Sequence, residues 1–219
     1  MFDLPYFDKD KIRFRKSDEK SHLRILHASP DTPAVDIDIY INDKLISRGL
    51  AYRNFTEYMP LESNDYNIKV FPADKKDVAI IDENVFIPPN SIYTIAITGL
   101  SQDISLFNIL DKKLDSKDPN KAYVRSINLS PDAPNIDFYM NDKEIFNNVD
   151  YKNITDYTSV DPKNYTLNLK LANTEDTILT SPNANLKANK YYTVYIIGLT
   201  DGKSSLQVLI PLDGNSYIK

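Results

Sequence analysis

The 219-residue chain has no cysteine, no tryptophan, two histidines (His22 and His27) and five glycines. Without cysteine there is no thiolate nucleophile, no iron–sulfur ligand and no cysteine-based zinc site. Two histidines leave imidazole chemistry little material, and most hydrolase triads and zinc enzymes drop out with it. A surplus of positive charge is missing too: 26 Lys+Arg stand against 31 Asp+Glu, a net charge of −5. No basic face is available to neutralise phosphates, so nucleic acid is not an expected partner. Long apolar runs are lacking as well, since Ile92 to Ile97 and Tyr191 to Ile197 fall far short of the roughly 20 residues that cross a bilayer. The opening Met1-Phe2-Asp3-Leu4-Pro5 is not the basic-then-apolar order of a secretory signal. Neither membrane insertion nor a signal peptide is expected, which makes a cytoplasmic location the default and a spore or cell-envelope association the alternative.

What is present is a repeat. Ser29-Pro30-Asp31-Thr32-Pro33 is answered by Ser130-Pro131-Asp132-Ala133-Pro134, an offset of 101. Tyr40-Ile41-Asn42-Asp43-Lys44 matches Tyr139-Met140-Asn141-Asp142-Lys143, and Tyr52 to Tyr58 matches Tyr151 to Tyr157, both at offset 99. Tyr93-Thr94 and Gly99-Leu100 meet Tyr192-Thr193 and Gly198-Leu199 at the same 99. The chain is a tandem duplication. Its expected organisation is an N-terminal arm (1–21), a first copy (22–111), a charged linker (112–121), a second copy (122–213) and a tail (214–219). The first copy carries the larger share of the negative charge.

Within each copy the apolar residues alternate with period two. Val35, Ile37, Ile39 and Ile41 are set against Asp36, Asp38 and Tyr40, and Leu167, Leu169 and Leu171 against Thr166, Asn168 and Lys170. Alternation of this kind marks half-buried strands, and no window keeps an apolar helical stripe. Six or seven short strands per copy, spaced by Asn- and Asp-rich turns, predict an all-β chain of two tandem antiparallel β-sandwich domains, immunoglobulin- or transthyretin-like.

Three groups of residues are candidates for chemistry. Asp31, Asp36, Asp38, Asp132 and Asp137 offer oxygens to a hard cation, but no Asp-x-Asp-x-Asp-Gly loop frames them, and turn or capping roles are expected with no metal or other cofactor. Tyr52, Asn54 and Tyr58, with Tyr151, Asn153 and Tyr157, would share one side of an extended segment. There they form either a ligand face for a sugar or peptide, or a structural edge of the tyrosine-corner type. His27 has no nucleophile elbow or orienting pattern around it, and no catalytic residue is assigned. The aromatic arm (Phe2, Leu4, Tyr6, Phe7, Ile12, Phe14) leans towards docking on its own sandwich, an exposed edge or a neighbour rather than towards a partly ordered terminus.

The stretch Leu23-Arg24-Ile25-Leu26-His27-Ala28-Ser29-Pro30-Asp31-Thr32-Pro33-Ala34-Val35-Asp36 closely resembles the opening of the bacterial domain-of-unknown-function family numbered 4397. The Asn/Asp hairpin, the mid-copy tyrosines and the late Tyr-Thr-apolar run into glycine follow in that family's order, in both copies. The resemblance implies tandem β-sandwich modules of exported or envelope-associated proteins without an established catalytic activity. It makes His27, Ser29, Pro30, Asp31, Pro33 and Asp36, with Ser130, Pro131, Asp132, Pro134 and Asp137, motif residues of structural role. The second copy departs at Asn128-Leu129-Ser130, so no His-dependent site is shared by both copies. The expected function is a non-catalytic structural or adhesion-type binding module with a protein or glycan partner, the alternative being a carbohydrate-binding accessory module using the tyrosine faces.

Overall fold

A computed structural model of the chain describes residues 20–30, 36–202 and 204–218. The first copy contributes β1 (Ser21–His27), β2 (Ile37–Ile41), β3 (Lys44–Leu50), β4 (Met59–Leu61), β5 (Asn64–Pro72), β6 (Ile81–Ile87), β7 (Ile92–Thr98) and β8 (Ser105–Leu110). The second repeats them as β9 (Ala122–Asn128), β10 (Ile136–Met140), β11 (Lys143–Val149), β12 (Thr158–Val160), β13 (Asn164–Leu171), β14 (Thr177–Asn185), β15 (Tyr191–Ile197) and β16 (Gln207–Leu209). Among the described residues there is no α-helix, only a 3-10 turn at Gly214–Ser216, and no helix is long and apolar enough to cross a membrane.

Each copy is a β-sandwich of two four-stranded sheets. An inner sheet runs β4-β1-β7-β8 and an outer sheet β3-β2-β5-β6, and the second copy has the same orders, β12-β9-β15-β16 and β11-β10-β13-β14. Leu23, Ile25, Ile95 and Ile97 of the inner sheet meet Ile37, Ile39, Ile68 and Val70 of the outer one in the first core, and Phe138, Leu167, Leu169, Val194 and Ile196 anchor the second. A third core lies between the copies, where Leu26, Ala28, Ala96 and Ile109 pack against Ile127, Leu129, Tyr195 and Ile197. The sheets therefore stack four deep, with the two inner sheets back to back. Each fully buried Ile or Leu in such a stack contributes about 1.5–3 kcal/mol. The third core explains why the apolar runs in β7 and β15 do not alternate. All seven residues of β15 are buried, as expected of a strand covered on both faces.

Four expectations change in detail. The sheets are not purely antiparallel, because β1 pairs with β7, and β9 with β15, in parallel. Each copy has eight strands rather than six or seven, since β4 and β12 span three residues and carry almost no pattern of their own. The strand β2 is buried throughout, not half-buried: Asp38 is turned into a backbone cap and Tyr40 lies under Phe71. Finally, Asp38 and not Asp36 occupies the place of Asp137. Asp38 Oδ1 accepts from Gly49 N at 2.8 Å, and Asp137 Oδ1 from Asn148 N at 2.7 Å. Gly49 and Asn148 are both left-handed (φ +61° and +51°), and each aspartate secures that irregular residue in its hairpin. The arm and the loop holding Asp31 and Pro33 fall outside the described residues.

Candidate functional site

The densest polar cluster is buried at the seam between the copies, and a single arginine per copy organises it. Arg24 on β1 and Arg125 on β9 sit at offset 101, each pointing from its inner sheet towards the other copy. Parallel pairing sets Arg24 level with Thr94 and Arg125 level with Thr193. Arg24 Nε thus donates to Thr94 Oγ1 at 2.9 Å, and Arg125 Nε to Thr193 Oγ1 at 2.8 Å. Both guanidiniums then cross the seam. Arg24 Nη1 donates to the Leu212 carbonyl at 3.0 Å and pairs with Asp213 at 3.5 Å, while Arg125 Nη1 donates to the Leu110 carbonyl at 2.7 Å and Nη2 to Asp111 at 3.0 Å. Tyr58 donates its hydroxyl to Asp111 Oδ2 at 2.7 Å, and Tyr157 donates to Asp213. The arrangement has approximate twofold symmetry, each copy's arginine holding the end of the other copy's last strand.

Two cations and two carboxylates balance in a site with almost no solvent. Removing one partner of such a set leaves an unpaired buried charge, a loss of about 3–5 kcal/mol. Burial, then the neighbouring Asp213, push the Asp111 carboxyl up, against the pull of Arg125, Tyr58 and Arg24. Burial and then Asp111 push the Tyr58 phenol up, and burial and then Asp213 do the same to Tyr157, so both stay protonated donors. Gly214 N closes the set, donating to Asp111 Oδ2 at 2.8 Å.

The sequence-derived tyrosine face is not assembled as an open platform. Tyr58 and Tyr157 are occupied by the aspartates, with Arg24 and Arg125 lying over their rings at 4.6 and 4.7 Å. Tyr52 packs edge-on to His27 at 5.8 Å, and the Tyr151 hydroxyl lies 3.4 Å from Thr98 Oγ1. Only Asn54 and Asn153 are exposed. His27 is buried, its Nδ1 has no hydrogen-bond partner, and desolvation, opposed by Asp36, lowers its pKa to about 4. The Ser-Pro-Asp motif works on the backbone. Ser29 Oγ donates to the Gly99 carbonyl at 2.7 Å and Ser130 Oγ to the Gly198 carbonyl at 2.8 Å. Asp132 accepts from Thr200 N at 3.0 Å and from Asp201 N at 3.3 Å, and these bonds hold its carboxyl below its ordinary range despite the opposing effect of burial. Pro30, Pro131 and Pro134 bracket these turns. Gly99 and Gly198 need positive φ (+104° and +98°), and a Cβ on Gly99 would lie 2.5 Å from the Asp103 carbonyl oxygen.

Sequence reasoning missed Arg24, Arg125, Asp111 and Asp213. A signal was there, for an arginine interrupts an otherwise apolar strand at Leu23-Arg24-Ile25 and again at Val124-Arg125, and an aspartate follows the last strand of both copies. Among the described residues no group of three or more His, Asp or Glu side chains converges to hold a metal ion.

A family model described as "Domain of unknown function (DUF4397)" matches residues 21–139 and 122–216. None of the curated proteins matches the chain. Among solved structures, a family CBM26 module of Eubacterium rectale Amy13K, in complex with maltoheptaose, is 15% identical and covers 87% of this chain and 98% of that one, with a TM-score of 0.28. The Bacillus anthracis TIE protein is 15% identical over 86% of this chain and 34% of that one, with a TM-score of 0.26.

Proposed function

The chain belongs to the DUF4397 family, and on that footing we propose that it is a non-catalytic structural or adhesion-type binding module. It acts as a stiff spacer that turns two outer sheets in opposite directions towards protein or glycan partners. The observation that carries the reading is the fate of the reactive groups. The two buried arginines pair across the seam with Asp213 and Asp111, and those aspartates in turn take up the hydroxyls of the two best-placed tyrosines, so the groups saturate one another. Side chains committed in this way stiffen the joint between two domains, which is what a structural or presenting role requires.

A glycan partner is favoured by one specific feature, on a surface other than the one the sequence pointed to. The Tyr139 ring lies on the outer face of β10, with Lys170 Nζ over it at 4.7 Å, and lines an open hollow of 740 Å³ with Glu144, Asn147, Asn173 and Thr174. An aromatic ring among amide, hydroxyl and carboxylate groups suits a sugar. The intact chain, applied to glycan and protein arrays beside a broad hydrolase screen, tests both readings. Saturable binding without turnover is expected, and glycan binding should be lost in Tyr139→Ala. Turnover abolished by His27→Ala would overturn the non-catalytic reading.

A further inference from the structure

The outer sheets of the two copies end differently. In the second copy the last outer strand, β14, carries Pro182, a left-handed Asn183 (φ +65°) and two register irregularities against β13. Such devices keep an edge strand from accepting another chain. The first copy's β6 has none of them. Ile81 to Ile87 pair with β5 in unbroken register, and among the described residues no strand covers the far edge. Ile81, Val85 and Ile87 are turned into the core, while Asp82 and Glu83 are exposed and Phe86 is 57% exposed. Below this edge lies β8, whose Leu106 is only partly buried at the margin of the first core.

We infer that the edge of β6 is the docking surface for the chain's own N-terminal arm, through residues 11–16 added as a further strand. That segment reads Lys11-Ile12-Arg13-Phe14-Arg15-Lys16, cations alternating with apolar residues at the period of a strand. Added to the edge, it turns Ile12 and Phe14 inward over Leu106 and the core margin. Lys11, Arg13 and Arg15 then face outward beside Asp82 and the open Phe86 ring, an attraction of opposite charges with a ring–guanidinium contact added. The arm's root is in the right place. Ser21 Oγ donates at 2.5 Å to the carbonyl of Pro88, the residue directly after β6, and His22 N donates to the Ser91 carbonyl at 2.8 Å. Residues 17–20 span about 13 Å when extended, enough to round the end of β6. Other edges of the first copy suit the arm less well: β3 carries Lys44 and Arg48, β8 has no charge, and β4 is three residues long with a proline. The second copy, whose edge protects itself, has no such arm, for the segment at the matching place before β9 reads Lys112-Lys113-Leu114-Asp115-Ser116-Lys117, without the alternation.

The experiment is amide hydrogen exchange, read residue by residue by NMR, on the full chain and on a chain lacking residues 1–16, with elution volume followed in parallel. Loss of the arm should speed exchange within residues 81–87 by about tenfold, leave β14 unchanged, and lower Tm by about 2–4 °C. Both chains should elute as monomers at every concentration. In the full chain, Arg13→Glu with Arg15→Glu should release the arm, and so should Asp82→Arg with Glu83→Arg; all four changes together should restore slow exchange. These positions are exposed or lie in the arm, so the core survives each change. Exchange in β6 that is indifferent to the arm, protection lost at β3 or β8 instead, no recovery in the fourfold variant, or protection that appears only with a dimer would overturn the assignment.

Discussion

Position 27 in the first copy is histidine, and its counterpart in the second is Asn128. Around both, the strand, its parallel neighbour and the Ser-Pro turn are the same. Asn128 fits this niche fully, accepting from Ser130 N at 3.0 Å and donating to the Val149 carbonyl at 3.3 Å. The His27 ring leaves Nδ1 unpartnered. A second contrast concerns the edge of the seam tyrosines. Tyr191 leans edge-on against Tyr157 at 5.2 Å, but the residue matching Tyr191 is Ile92, and the ring against Tyr58 comes instead from Tyr217 at 6.0 Å. The lesson is that Ser29 and Ser130, Thr56 and Thr155 and the two arginines are kept in both copies, whereas the side chain at position 27 or 128 and the rings against the seam tyrosines are exchanged.

The largest test of this contrast sits at the seam. Arg24→Ala and Arg125→Ala should each lower unfolding free energy by about 3–5 kcal/mol, measured by urea denaturation. Arg24→Ala should cost the more, because it also strips the ring contact with Phe55, at 4.6 Å, where the second copy has Ile154. Equal losses would mean that the aromatic asymmetry has no energetic weight.

Next comes acid sensitivity. Burial lowers the folded-state pKa of His27 from 6.5 to about 4, so between those values the unfolded chain binds a proton that the folded chain refuses. Stability is full above pH 6.5 and falls as pH drops through the window, by about 3 kcal/mol in all. His27→Asn, which installs the second copy's residue, should remove that part of the pH dependence. A parent and a variant whose stability curves run parallel from pH 7 to pH 4 would refute the burial account. Asp111 works with the opposite sign, because its raised pKa favours the folded state at the acid end. Subtracting the variant curve from the parent curve isolates the histidine.

The smallest effect should also be the most symmetric. Thr56 Oγ1 accepts from Ile25 N and Thr155 Oγ1 from Ser126 N, both at 2.9 Å. Replacing either threonine by valine leaves one strand amide unsatisfied, for a loss of about 1–2 kcal/mol each. Unequal losses in thermal melts would show that the equivalence of the two copies ends at geometry.

The outer sheets were the legible part of the sequence. Their alternation in Ile68 and Val70, or Leu167 and Leu169, reflects one wet face and one dry face. The inner sheets read less clearly, since a strand covered on both sides has no alternation to display, and the runs in β7 and β15 register only as apolar. Parallel pairing of β1 with β7 joins residues 70 positions apart and leaves no local mark. The tyrosine segments stood out as a candidate face because their residue types suit a ligand. Their true neighbours, Asp111 and Asp213, lie more than 50 positions away, beyond the reach of any local pattern.

The cross-seam hold of Arg24 on the Leu212 carbonyl spans 188 residues. Contacts so distant in sequence form late, because a long stretch of chain must be ordered before they give any return. During synthesis the first sandwich would therefore emerge with its inner face bare and Arg24 and Asp111 without their companions from residues 212–214. A newly made chain passes through a stage in which half of it is folded and sticky, and it is in that interval, rather than in the finished stack, that chaperones and aggregation compete for it.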